Sequence, residues 1–215
     1  MPSDPFQMVM VHRTFRNEFA NSSKVVRAVV PGDTRRSAFI GRYLGNVISV
    51  LHHHHAAEDD LLWPKLLDRM PFDGSTFQRA EDEHAVIGAA IDKVERARSV
   101  WARQPGLDTG EQLAAAIEEL SARADEHFDY EEMNVVPLIA QHITQGEWQE
   151  FIDRGAATVG PKNLWFSLAY SGFLLADATP EERRRFLASV PAPLRIVVTL
   201  LGGRAHAGYR AKLAV

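Results

Sequence analysis

The sequence predicts an all-α fold, in which an antiparallel up-down-up-down four-helix bundle is followed by a helical C-terminal extension. Along four long segments apolar residues recur every three or four positions, which is the period of an amphipathic helix. A motif of His, three residues and Glu occurs twice, at His54 and Glu58 and again at His127 and Glu131. A further His precedes each copy at nearly the same distance, so the duplication indicates two helical hairpins and hence four helices.

The first hairpin has clear start and stop signals. Asp4 and Pro5 predict the beginning of the first helix, and Pro31 with the glycine after it predicts the end. The second helix is expected to begin at Asp33 or the threonine that follows. Pro64, six residues after Glu58, is expected to kink or end it.

The second hairpin repeats this arrangement. Ser75 and Gln78 predict a capping box at the start of the third helix, which is expected to end before Pro105. The fourth helix is expected to begin near Asp108 and carries the second motif, again followed by a proline, Pro137.

Beyond Gln141 the motif does not recur, so the sequence predicts a bundle domain at 1–142 and a helical extension at 143–215 packed against it. An apolar helix is expected at 163–176. The remaining signals in the extension are caps at Thr144 and Glu147 and at Thr179 and Glu182, a break at Gly160 and Pro161, and an interruption of the last helix at Gly202 and Gly203.

Composition excludes several classes of protein. There is no Cys, so disulfides and thiolate metal sites are excluded, and any metal must be held by nitrogen and oxygen. A net charge of −4 with intermixed charges predicts no nucleic-acid partner. The first residues lack a charged segment followed by an apolar one, so we expect a cytoplasmic protein. The longest apolar run, 164–176, is too short for the roughly 20 residues of a membrane span.

The duplicated motif has a metal-ligand spacing. A His and a Glu four residues apart lie one turn apart on the same face of a helix, so both can reach one point. When the rise of about 1.5 Å per residue is counted from the predicted turns, the four histidines come to one level of the bundle. The candidate ligands are His12, His54, Glu58, His84, His127 and Glu131.

Neutral imidazoles and carboxylates suit Fe, Mn or Zn. Groups drawn from two duplicated halves predict two ions. If both carboxylates bridge them and one hydroxide or oxide also bridges, some of the roughly twelve positions of two octahedral ions stay open. Such positions would bind or reduce a small molecule, O2, peroxide or NO.

These six positions, with Pro64 and Pro137, resemble the hemerythrin-like (HHE cation-binding) family over roughly residues 5–142. The resemblance implies a non-heme di-iron centre, oxo- or hydroxo-bridged, with these six residues as ligands and Mn or Zn as substitutes. The oxygen-carrying members have two His four apart on the third helix, whereas Gly88 follows His84 here. One nitrogen donor fewer favours redox chemistry over oxygen transport.

Two alternatives remain open from the sequence. His55, three residues before Glu58, competes with His54 as the ligand, while Asp59 and Glu132 are expected to face solvent or bond a neighbour rather than a metal.

The leading functional hypothesis is reduction or disproportionation of a small oxidant, as in a di-iron catalase, a peroxidase or an NO-reducing oxidoreductase with an unspecified electron donor. The alternative is an O2 or iron sensing, binding or storage module without turnover.

Overall fold

The computed structural model describes residues 1–158 and 163–214, and its regular elements in these ranges are helices. The predicted all-α fold is therefore confirmed. The α-helices are α1 (Phe6–Arg27), α2 (Thr34–Leu61), α3 (Trp63–Arg69), α4 (Gly74–Trp101), α5 (Leu107–Asn134), α6 (Val136–His142), α7 (Gln145–Thr158), α8 (Leu164–Ala176), α9 (Pro180–Ser189), α10 (Ala192–Val197) and α11 (Gly203–Leu213). A 3-10 turn, Pro71–Asp73, precedes α4, and a π-helical segment, Val198–Gly202, joins α10 to α11.

Four long helices, α1, α2, α4 and α5, surround the main core. Helix α5 packs against both α1 and α4, and α2 also contacts both of these helices. Each of the four directs apolar side chains inward at helical spacing, and residues such as Phe15, Leu44, Ile117 and Phe128 are fully buried. Burial of this apolar surface is the main stabilising contribution to the fold.

The prolines after the two motifs have equivalent positions. Helix α2 ends at Leu61 and α5 at Asn134, and Pro64 and Pro137 lie in the first turns of the short helices that follow. A proline is tolerated there because the first N–H groups of a helix have no intrahelical acceptor. The prediction that Pro64 kinks or ends its helix is confirmed.

The caps predicted at Asp33, Thr144 and Thr179 are present, whereas Asp4 makes no capping hydrogen bond at the start of α1. The Asp33 side chain accepts a hydrogen bond from the Arg36 backbone N–H at 2.9 Å. Reciprocal caps between Thr144 and Glu147 and between Thr179 and Glu182 open α7 and α9.

The capping box predicted at Ser75 and Gln78 is wrong. The 3-10 turn runs directly into α4, so Ser75 is already helical, and the amide of Gln78 donates to Asp82 one turn along.

The extension packs on the long helices through α7, which contacts α2, and α8, which contacts α1 and α11. Gly202 and Gly203 do not interrupt the last helix. Gly202 lies where α11 approaches α8, and a Cβ on Gly172 of α8 would be only 2.8 Å from the Gly202 carbonyl oxygen. The close helix packing therefore depends on Gly172, whereas a Cβ on Gly203 would meet no atom within 4 Å.

Two expectations about the extension have other outcomes. The predicted break at Gly160 and Pro161 lies outside the described residues, and the division at residue 142 stays a prediction. None of the helices in the described ranges is both long and apolar enough to cross a membrane.

Candidate metal centre

The structure brings the six predicted ligands together with His55 in the interior between the four long helices. Helix α1 supplies His12, α4 supplies His84, and α5 supplies His127 and Glu131. Helix α2 supplies His54, His55 and Glu58, so it contributes most of the first half. All seven side chains are buried, the most exposed being His84 at 8%.

These side chains form two groups that could each hold a metal ion, with ligand atoms within 4.8 Å of one another in each group. We name them by their histidines. The three-imidazole position comprises His55, His84 and His127 with Glu58, and the two-imidazole position comprises His12 and His54 with Glu58 and Glu131.

Within each position the imidazoles converge through their Nε2 atoms. Nε2 of His84 and Nε2 of His127 are 3.1 Å apart, and His55 stacks on His84 with ring centroids 4.1 Å apart. In the other position Nε2 of His12 and Nε2 of His54 are 3.2 Å apart. Such close nitrogen pairs are expected where lone pairs converge on a common centre.

Each carboxylate lies between the two positions. One oxygen of Glu58 is 3.3 Å from His54 Nε2, and its other oxygen is 3.6 Å from His84 Nε2. One oxygen of Glu131 is 3.4 Å from Nε2 of both His12 and His127. The geometry allows either carboxylate to contact ions in both positions.

Several of these buried polar atoms have no hydrogen-bond partner. Among the described residues neither oxygen of Glu58, neither oxygen of Glu131 and not Nε2 of His55 is hydrogen-bonded. Each buried polar group that lacks a hydrogen bond costs about 1–3 kcal/mol. The cost is larger for an ionised carboxylate, because its charge is also removed from water. A cation between the two carboxylates would supply the missing interactions, so the residues fit a metal centre with nitrogen and oxygen donors.

Burial disfavours charge on both carboxyl groups. It raises the pKa of Glu58 well above the ordinary value, and the neighbouring Glu131 carboxylate raises it further. Burial also raises the pKa of Glu131 well above its ordinary value, with a further contribution from the negative charge of Glu83. A bound dication would reverse both shifts because it favours the ionised form.

Burial likewise keeps four of the imidazoles neutral, those of His12, His54, His55 and His127. It lowers the pKa of His54 and His55 well below the ordinary value, lowers that of His12, and lowers that of His127 to about 2. The neutral ring is the form that binds a metal, so these histidines need no deprotonation at physiological pH.

Carboxylates outside the cluster orient three of the rings. Nδ1 of His84 lies 2.8 Å from Asp59, Nδ1 of His127 lies 3.1 Å from Glu83, and Nδ1 of His12 lies 3.1 Å from Glu132. With the proton on Nδ1 each ring donates outward and turns the Nε2 lone pair into the cluster. Asp59 and Glu132 thus bond neighbours, in agreement with the prediction.

Two of these three hydrogen bonds cross between the duplicated halves. Asp59 of the first motif holds His84 of the second half, and Glu132 of the second motif holds His12 of the first. Arg16 in turn donates to Glu132 at 2.7 Å.

Two participants were missed or left open by the sequence. His54 and His55 both join the cluster, because adjacent residues of α2 point toward different neighbouring helices, one toward His12 of α1 and the other toward His84 of α4. The inference of one nitrogen donor fewer is therefore corrected, since five imidazoles converge. Glu83 was not singled out, and its only signal in the sequence is adjacency to His84.

The sequence model of the hemerythrin HHE cation binding domain matches residues 6–139, which include all seven cluster residues. The chain belongs to the hemerythrin HHE family. Members of this family bind metal ions, usually iron. No curated protein and no solved structure matches the chain. The HHE match ends within α6, so α7 to α11 lie outside it.

Proposed function

We propose that the protein is a non-heme di-iron protein that binds one small oxidant, O2, NO or hydrogen peroxide, at its two-metal centre. The observation that carries this proposal is the pair of buried, unpartnered carboxylates, Glu58 and Glu131, each lying against imidazoles of both positions. The proposed ligands are the six predicted from the sequence together with His55. In this proposal the four long helices form an antiparallel up-down-up-down bundle around two ions, and Mn or Zn can replace iron.

The donor count supports a ligand that is small and single. Five imidazole nitrogens and four carboxylate oxygens leave about three of the roughly twelve positions of two octahedral ions. A bridging oxide or hydroxide would use two of them, which leaves room for one exogenous ligand. The two-imidazole position has one nitrogen fewer, so we assign the open position to the side of His12 and His54.

The surroundings of the two-imidazole position are apolar and closely packed. Phe128 stacks on His12 with ring centroids 4.2 Å apart, and Phe15 and Phe151 lie 5.8 and 5.9 Å from the His54 ring. In this proposal such close packing would exclude bulky or highly charged substrates and favour a diatomic molecule or peroxide. Iron, when bound there, supplies reversible ligand binding and one-electron chemistry.

The geometry favours binding over turnover as the first candidate. The fifth imidazole removes the argument from a missing nitrogen donor, which had favoured redox chemistry. The phenyl rings of Phe15 and Phe151 beside His54 offer no proton donor. We therefore infer oxidant binding, in a sensing, carrying or storage role.

Reduction or disproportionation of peroxide or NO is the second candidate, favoured by a different observation. The carboxylates Asp59, Glu83 and Glu132 link His84, His127 and His12 to the surface, since their side chains are 39%, 25% and 26% exposed. These carboxylates lie beside the centre and can hold protons close to it, and reduction of peroxide or NO requires a supply of protons.

Metal analysis and optical titration of the iron-loaded protein test the proposal. We expect two irons per chain and an absorption band that appears with O2 or NO and disappears when the gas is removed. Catalytic loss of peroxide or NO without such reversible binding would replace the first candidate by the second. A stoichiometry of one iron or none would overturn the two-metal centre itself.

A further inference from the structure

Charge is unevenly divided along this chain. Residues 1–182 contain 28 acidic and 17 basic residues, whereas every charged residue after Glu182 is basic. The expectation of intermixed charges therefore holds only for the first part of the chain. The basic residues of the last part are Arg183, Arg184, Arg185, Arg195, Arg204, Arg210 and Lys212.

Several of these cations already have partners within the fold. Arg184 pairs with Glu181, Arg185 with Asp4 and Arg210 with Glu18. Arg195 and Arg204 differ from them because both are exposed, and neither forms an ion pair with any residue in 1–158 or 163–214.

The continuous helical run of α10, the π-helical segment and α11 exposes large aliphatic side chains. Leu194, Ile196, Leu200 and Leu201 are 48%, 60%, 67% and 36% exposed. They are not the packing side of this run, because it packs through Val198, Gly202, Ala205 and Leu213, which are buried. We call Leu194, Arg195, Ile196, Leu200, Leu201 and Arg204 the aliphatic-basic face.

We propose that the aliphatic-basic face binds the surface of a membrane that contains anionic lipids. A helical segment with bulky aliphatic residues and arginines on its outer side can lie in the interface, where the aliphatic side chains enter the acyl boundary and the guanidinium groups meet phosphates. Each arginine near an anionic surface adds a favourable electrostatic interaction.

Charge also decides against a second copy of this chain as the occupant. Two such faces in contact would bring Arg195 and Arg204 of both copies together with no acidic residue of the face to offset them. The complementary surface must therefore be anionic and apolar at once, which describes an anionic bilayer. The proposal does not depend on the metal centre, which lies between the four long helices.

Flotation of the full-length protein with lipid vesicles tests the inference. One set of vesicles contains phosphatidylcholine alone, and the other contains equal parts of phosphatidylcholine and phosphatidylglycerol. We expect binding to the anionic vesicles only, and weaker binding in high salt. The double variants Ile196→Ser with Leu200→Ser and Arg195→Gln with Arg204→Gln should each lower the apparent affinity about tenfold or more.

Matched controls change exposed residues elsewhere. Val30→Ser with Leu107→Ser and Arg96→Gln with Arg103→Gln should bind as the unchanged protein does, since these side chains are also exposed. The melting temperature measured by circular dichroism should be the same in all four double variants as in the unchanged protein, because no buried side chain changes.

Three results would overturn the proposal. They are equal binding to both vesicle types, no binding to either, or equal losses in the control variants. Sedimentation of the same proteins separates the other occupants. If the protein self-associates without binding vesicles, and only the Ile196→Ser with Leu200→Ser variant loses this self-association, the face binds a second copy of the chain.

Discussion

Oδ1 of Asp59 lies 2.8 Å from Nδ1 of His84, so the residue after the proposed ligand Glu58 holds a histidine of the opposite half. This contact joins α2 to α4 at the centre. It fixes the proton on Nδ1 and leaves Nε2 of His84 facing the three-imidazole position. An acidic residue repeated in both motif copies thus has the same kind of partner in both, His84 for Asp59 and His12 for Glu132.

Changing Asp59 to Asn should weaken metal binding without removing it. The amide cannot accept from His84 as strongly as a carboxylate, so the ring loses orientation and basicity, and affinity should fall about 10- to 100-fold. Competition with a chelator measures the change. Asp60→Asn is the matched control, since Asp60 is exposed and pairs with Arg154. Equal affinities for both variants would contradict the role of Asp59.

His55→Ala should remove the metal from the three-imidazole position. That position would keep only His84, His127 and Glu58, one donor residue fewer than the two-imidazole position, so we expect bound iron to fall from two ions toward one per chain. His53→Ala is the control, because His53 belongs to the same run of histidines but is exposed. Retention of two tightly bound ions in the His55→Ala variant would show that His54 is the only histidine needed from α2.

The metal-free protein should lose stability as the pH falls below about 6.5, because histidines protonate in the unfolded chain at that pH. The pKa of His127 is lowered to about 2 in the folded protein. Between pH 6.5 and pH 2 the imidazole of His127 is therefore protonated in the unfolded chain and neutral in the folded protein. The contribution of the neutral imidazole to the free energy of unfolding is fully present above pH 6.5, and it is lost as the pH falls toward 2. The slope is about 1.4 kcal/mol per pH unit for each such imidazole.

Urea unfolding in the presence of a chelator, at pH 7, 6 and 5, measures this effect. His127→Gln should reduce the pH dependence by about one proton relative to the unchanged protein. Glu58 and Glu131 contribute in the opposite direction, because their raised pKa values favour the folded state as the pH falls. This contribution is common to both proteins, so it cancels when their slopes are compared. Identical slopes for the two proteins would mean that His127 titrates normally in the fold.

Gly172→Ala should destabilise the contact between α8 and α11. A Cβ at this position would lie 2.5 Å from Cβ of His206 and 2.8 Å from the Gly202 carbonyl oxygen, so a helix must shift. The expected loss is about 1–3 kcal/mol, as for other overpacked sites. Thermal and urea unfolding of the metal-free protein measure it.

Gly88→Ala is the control for that experiment. Gly88 is also helical, but no heavy atom lies within 4 Å of the added carbon, so the substitution should stabilise the protein by up to about 1 kcal/mol. If both substitutions have the same sign, the close approach of α8 and α11 does not limit stability.

The sequence by itself determined the helical class and the set of candidate ligands. Helical periodicity and a duplicated spacing of His and Glu are local patterns, and a local pattern fixes which face of a helix a side chain occupies. Five of the predicted features therefore needed no tertiary information: the four long helices, the prolines after each motif, the caps at Asp33, Thr144 and Thr179, the acidic residues beside the glutamates, and the family.

Tertiary structure decided how many donors converge and what holds them. His54 and His55 differ by one residue in the chain, and only the packing of α2 between α1 and α4 gives both a place in the cluster. Glu83 reaches His127 across a helix contact that no spacing encodes. Gly202 likewise appears as a helix breaker in the sequence, yet its backbone stays helical and packs against α8. In each case the deciding interaction joins residues distant in the chain, so its energy depends on packing rather than on local conformational preference.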